Sequence, residues 1–253
     1  MNFFFGITNS EFTTELQIPL FKNRNFKEEN IKLFKACPNN KRWSIEEVKK
    51  KKNKGFYFLR GEEITNDCMF FLAYDKDLSN YDFKKLKNFN KFTDTAPAYR
   101  ANFKILLNNQ GGFSSYQSEY PFEMIMKKGT ILSAVSSIAN KDAEKNYIFI
   151  RNIFQDPIIE NFKAYLVNIK LKKIEDEFEI KTNFTNSYEL KKSLIKPEIF
   201  LITKDYLGIP MYASVDNKHV SFEHTHPPHE YILSKNKFAK ISELKKEVNE
   251  IIN

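Results

Sequence analysis

With 253 residues, 42% of them hydrophobic and 15% aromatic, the chain has ample material for a packed core and is excluded from the disordered class. No apolar run approaches the ~20 residues of a membrane span, and the opening residues 1–12 have neither the basic start nor the apolar length of a secretory signal. The formal net charge is +8, but 35 of the 40 basic residues are lysine, so the excess reads as a solvated surface and not as the arginine-rich footprint of nucleic-acid readout.

In chain order, residues 3–7 predict a short strand and residues 30–36 a turn or two of helix before Cys37-Pro38. Ser44 followed by Glu47 forms a capping box, which predicts a helix running into the lysine-rich stretch 49–54. Two aromatic-rich strands follow at 56–60 and 68–74, and apolar residues at helical spacing suggest a helix over 82–90. Cys37 and Cys68 are too few and too far apart for a disulfide scaffold or a metal knuckle, so reduced thiols are expected. Together with the missing signal, they point to the cytoplasm.

The segment 90–97 reads as a connector, and the pattern changes beyond it. Short β-type runs appear at 99–107, 114–119, 122–127, 147–154, 162–169, 178–181, 199–203, 211–215 and 219–226, with turn residues between them. A helix with apolar residues at 238, 241, 244, 248 and 251 closes the chain. The fold class expected is α+β. A small mixed N-terminal region (1–95) precedes an antiparallel β-sandwich or jelly-roll domain (96–236), with an amphipathic helix (237–253) packed on it. No internal repeat is evident.

Phosphate-cradling glycine loops and a nucleophile elbow are absent, which removes the nucleotide and hydrolase readings that depend on them. All four histidines lie between His219 and Tyr231. Read as a strand, this segment places Val220, Phe222, His224 and His226 on one face, and Pro227-Pro228 ends it, with His229 and Glu230 beyond. Imidazoles two residues apart stand side by side, and a carboxylate after the turn completes a three-ligand face. The spacing His224-x-His226-x-x-x-Glu230 resembles the first metal motif of the cupins. That resemblance implies a β-barrel binding iron, manganese, zinc or nickel through His224, His226, Glu230 and possible support from His229.

Two further features suit the same cleft. The run 114–120 is polar for a strand, with Tyr116, Gln117 and Glu119 as candidate contacts to a hydroxyl-rich ligand. Arg151 lies on an apolar strand face, where it needs a carboxylate or a ligand anion. The reading is a metal-dependent, cupin-like enzyme acting on a small polar or sugar-like substrate. The alternative is a non-catalytic β-sandwich that binds a glycan or a protein partner. Neither nucleic acid nor a membrane is an expected partner.

Overall fold

Alternation of apolar and polar residues governs most of the chain, and antiparallel strands are the result. The computed structural model describes residues 2–20, 31–74, 78, 83–89, 101–108, 111–126, 128–224 and 236–253. It is built mostly of antiparallel sheets with one C-terminal helix, so the α+β class holds. The chain divides into two units. The first is Met1–Met126 with Ile153–Ile159 and Asn183–Thr185, and the second is Lys127–Asn152, Glu160–Thr182 and Asn186–Asn253.

The first unit contains β1 (Asn2–Phe3), β2 (Phe12–Pro19), β3 (Ile31–Pro38), β4 (Trp43–Glu47), β5 (Phe56–Arg60), β6 (Met69–Tyr74), β7 (Ala101–Leu107), β8 (Phe113–Ser118) and β9 (Tyr120–Pro121). They form sheets ordered β5-β2-β7-β8, β4-β3-β6 and β1-β9, and Phe4 adds a bridge to Phe70 of β6. In β2, Phe12, Thr14, Leu16 and Ile18 are buried while Thr13, Glu15 and Gln17 between them are half-buried. The side-chain period of two thereby aims one face at the core. Phe71 meets Phe3 and Phe34 there, with ring centroids 5.9 and 5.8 Å apart.

Several expectations for this region are overturned. Residues 31–38 and 43–47 are strands and not helices, paired as an antiparallel hairpin. The capping box at Ser44 is a local preference of about 1 kcal/mol, and burial of Ile31, Leu33, Phe34 and Ala36 in a central strand outweighs it. Where a helix over 82–90 was expected, the described residues 83–89 hold a 3-10 turn at Leu86–Phe89. The expected strand 122–127 is a 3-10 turn over Phe122–Met126. Cys37 and Cys68 form a disulfide and are not free thiols. They stand opposite one another beside the Ala36–Met69 pair of β3 and β6, with Cα atoms 4.4 Å apart, as a bridge requires. The expected boundary at 95–96 lies outside the described residues. β7 beyond it is hydrogen-bonded to β2 before it, and both belong to the first unit.

The second unit contains β10 (Leu132–Ala134), β11 (Lys145–Arg151), β12 (Asn161–Asn168), β13 (Lys173–Lys181), β14 (Thr185–Glu189, all but its first residue), β15 (Ile199–Thr203), β16 (Ile209–Asp216), β17 (His219–His224) and α1 (Lys237–Ile251). Its sheets run β10-β15-β12-β13 and β14-β11-β16-β17. β11 and β16 are buried on both faces over Asn146–Arg151 and Pro210–Val215, which explains their near-continuous apolar sequence. α1 starts where the Asn236 side chain accepts the Ala239 N–H at 3.2 Å. It buries Val248 against Leu132, Val167 and Ile202, so it covers one face of the β10-β15-β12-β13 sheet. No helix among the described residues is long and apolar enough to cross a membrane.

Candidate functional site

β17 is the outermost strand of its sheet. A two-residue turn with Asn217 in the left-handed region (φ 53°) carries the chain from β16 into it, and Asp216 pairs with His219. The expected alternation holds across the strand. Phe222 is buried, Val220 and His224 are half-buried, and His219, Ser221 and Glu223 are exposed. The Phe222 ring packs on Phe149 of β11 at 6.0 Å, and His224 stands opposite Met211.

The imidazole of His224 is held by its neighbour. Its Nδ1 lies 2.8 Å from Glu223 Oε1, the same oxygen that accepts the His224 backbone N–H at 2.9 Å. A carboxylate can only accept, so Nδ1 carries the proton of this contact and the ring orientation is fixed by Glu223. His226, His229 and Glu230 lie outside the described residues. Among the described residues, no group of three or more His, Cys, Asp or Glu side chains is arranged to hold a metal.

The other candidates fall in two places. Arg151 ends β11 opposite Ile209 and is 1% exposed, on the strand face that also carries Phe149. Through the Phe149–Phe222 contact this is also the face of His224. The Arg151 side chain is buried. Tyr116 and Gln117 belong to the first unit, in β8, opposite Phe103 and Asn102 of β7. Their side chains lie outside the description. Glu119 follows between β8 and β9 and is half-buried. β8, like β17, is the outermost strand of a four-stranded sheet. Its first residue, Phe113, is 57% exposed and lies under Lys104 Nζ, 4.2 Å from the ring centroid.

Sequence reasoning missed a second polar centre in the second unit. Asp176 accepts from Lys191 Nζ at 2.7 Å, Tyr188 Oη at 2.8 Å and the Glu177 N–H at 2.9 Å. The Lys191 ammonium, aided by the Tyr188 hydroxyl, holds the Asp176 carboxyl below the usual aspartate range. Partial burial and the bond to Asp176 push the Tyr188 phenol up, and its ring stacks on Phe178 at 4.1 Å. Tyr212 shares a buried hydroxyl pair with Ser133 at 2.9 Å, and burial raises its pKa. Neither cluster has a sequence signature, because its members come from separate strands.

No protein-family model, no curated protein and no solved structure matches this chain.

Proposed function

We propose that this chain is a binding protein made of antiparallel β-sandwiches, each formed by the two larger sheets of a unit, that takes a polar, hydroxyl-rich ligand of glycan type at β17. The observation that supports this reading is the character of that strand. It is outermost in its sheet and anchored by Phe222 from behind, and it presents His219, Ser221 and Glu223 to solvent with His224 held by Glu223. Hydroxyl and carboxylate groups spaced along a rigid strand suit recognition of sugar hydroxyls. Binding of the full chain to an array of immobilised glycans tests the reading. A selective signal that falls at least tenfold in Glu223→Ala supports it, and a wild type that binds no glycan refutes it.

A second reading, metal-dependent chemistry of cupin type, is favoured by the Glu223–His224 contact. A carboxylate that orients the non-ligating nitrogen is the usual support of a metal-bound histidine. Iron, manganese, zinc or nickel would then be held by His224 with His226, His229 and Glu230. Their imidazoles must be neutral to ligate, so affinity should fall as the pH is lowered. Elemental analysis of untagged protein decides this reading. Bound metal that is lost in His224→Ala supports it, and metal-free wild type with no melting shift on adding these ions ends it.

An oxidising compartment is part of this proposal, supported by the Cys37–Cys68 bond, since disulfides persist in such surroundings.

A further inference from the structure

We infer that the two units are tandem copies of one β unit, so that β8 and β17 are a single element present twice. The role of that element rests on the binding reading proposed above. Strand order carries the inference. If β2 to β8 are matched with β11 to β17 in chain order, the sheet β5-β2-β7-β8 becomes β14-β11-β16-β17, and β4-β3-β6 becomes β13-β12-β15. Each is the order observed. Seven consecutive strands therefore visit two sheets in the same succession in both units. The partner at the end of the smaller sheet is repeated as well. Phe4 bridges Phe70, and Ala134 pairs with Phe200, each partner 130 positions further on.

Local backbone features recur at matching points. A non-glycine residue in the left-handed region stands two positions before β5 and two before β14, Lys54 (φ 49°) and Asn183 (φ 53°). Gly111 (φ 74°) and Asn217 (φ 53°) hold the same place before β8 and β17. Such conformations cost roughly 1–2 kcal/mol outside glycine, so they are not scattered at random. The hairpin β3–β4 opens with Asn39, whose Oδ1 accepts the N–H groups of Lys41 and Arg42. The hairpin β12–β13 opens with Asn168, whose Oδ1 accepts those of Lys170 and Leu171. A 3-10 turn follows β5 at Gly61–Glu63 and β14 at Lys192–Leu194.

The approach to the first strand is also repeated. Asn9 Oδ1 accepts the Glu11 N–H at 2.9 Å, and Asn140 Oδ1 accepts the Asp142 N–H at 3.0 Å. The sequence keeps traces at these places. Ile7-Thr8-Asn9-Ser10-Glu11 matches Ile138-Ala139-Asn140-Lys141-Asp142 in its isoleucine, asparagine and acid. Beyond β8 and β17, Pro121-Phe122-Glu123-Met124-Ile125 matches Pro228-His229-Glu230-Tyr231-Ile232 in its proline, glutamate and isoleucine. Two unrelated domains that converged on one strand order would have no reason to share asparagine turns, left-handed positions and terminal motifs. Descent from one unit accounts for all of them.

A crystal structure of the full chain tests the duplication. Strands β2–β8 should superpose on β11–β17 as one body, with Lys54 on Asn183 and Gly111 on Asn217. A strand that lies in a different sheet or order in one unit overturns it. The outcome is independent of the glycan array. Superposing copies in a chain that binds no glycan leave the duplication standing and remove the binding role, whereas glycan binding by units that do not superpose does the reverse.

Discussion

The two units share a strand order and close it by different means. In the first, the β4-β3-β6 sheet is tied by Cys37–Cys68 across β3 and β6, and the connection from β6 to β7 takes residues 75–100. In the second, residues 204–208 join β15 to β16, and α1 covers the matching sheet through Val248, Leu132, Val167 and Ile202. A covalent link acts largely on the unfolded chain by shortening it, while a packed helix acts on the folded state by removing apolar area from water. Strand order and stabilising device are therefore separable. One topology accepts an entropic staple in one copy and a hydrophobic cover in the other.

The largest expected effect comes from the core of each unit. Phe71→Ala should cost about 3–5 kcal/mol and Leu201→Ala about 2–5 kcal/mol, since both side chains are fully buried. Calorimetry should show each change lowering the transition of its own unit, and one shared transition lowered by both would break the comparison. Next is the polar clasp that holds the approach to β2. The Ile7 N–H donates to Thr14 Oγ1 at 2.8 Å, and that hydroxyl donates to the Ile7 carbonyl. Thr14→Val leaves both backbone groups buried and unsatisfied, for roughly 1–3 kcal/mol by denaturant titration. Asn146→Ala should act in the same direction but less in the second unit, because its side chain binds the N–H and C=O of Asn140 and the N–H keeps Ser214 Oγ at 3.0 Å.

The smallest effect concerns Asp176. Its folded pKa lies below the unfolded value, so its contribution is present above the ordinary ~3.9 and is lost as pH falls through the folded value. Asp176→Asn should lower the melting temperature at pH 7 by the equivalent of roughly 0.2–1 kcal/mol, as for other partly exposed ion pairs. The difference from wild type should shrink toward zero as the pH is lowered below the folded value. A difference that stays constant with pH would remove the ionic cluster from the account.

Much of the second unit was legible because its strands are self-announcing. Ile199–Ile202 is an unbroken apolar run, and Val220, Phe222 and His224 alternate as a half-buried strand does. The first unit was less so. Ser44 and Glu47 satisfy a capping box, yet Trp43 and Ile45 carry the alternation of a hairpin strand, and only the pairing with β3 decides between them. β2 went unread because polar Thr13, Glu15 and Gln17 mask its buried face. The disulfide was invisible because facing positions on paired strands lie 31 residues apart in sequence. The repeat was invisible for a related reason. What the copies keep is hydrogen-bonded order and a few asparagines, while the apolar residues between them were free to change. Of the candidate site, the strand and its facing pattern were readable, but the Glu223 contact that orients His224 depends on a side-chain torsion that no spacing encodes.

Hydrogen exchange on the full chain, oxidised and then reduced, tests the central contrast most directly. A disulfide of this kind contributes about 2–4 kcal/mol, so reduction should lower amide protection across β3, β4 and β6 at least tenfold. Protection across β12, β13 and β15, which α1 holds, should stay unchanged. Equal loss in both units, or no loss in either, would contradict the account.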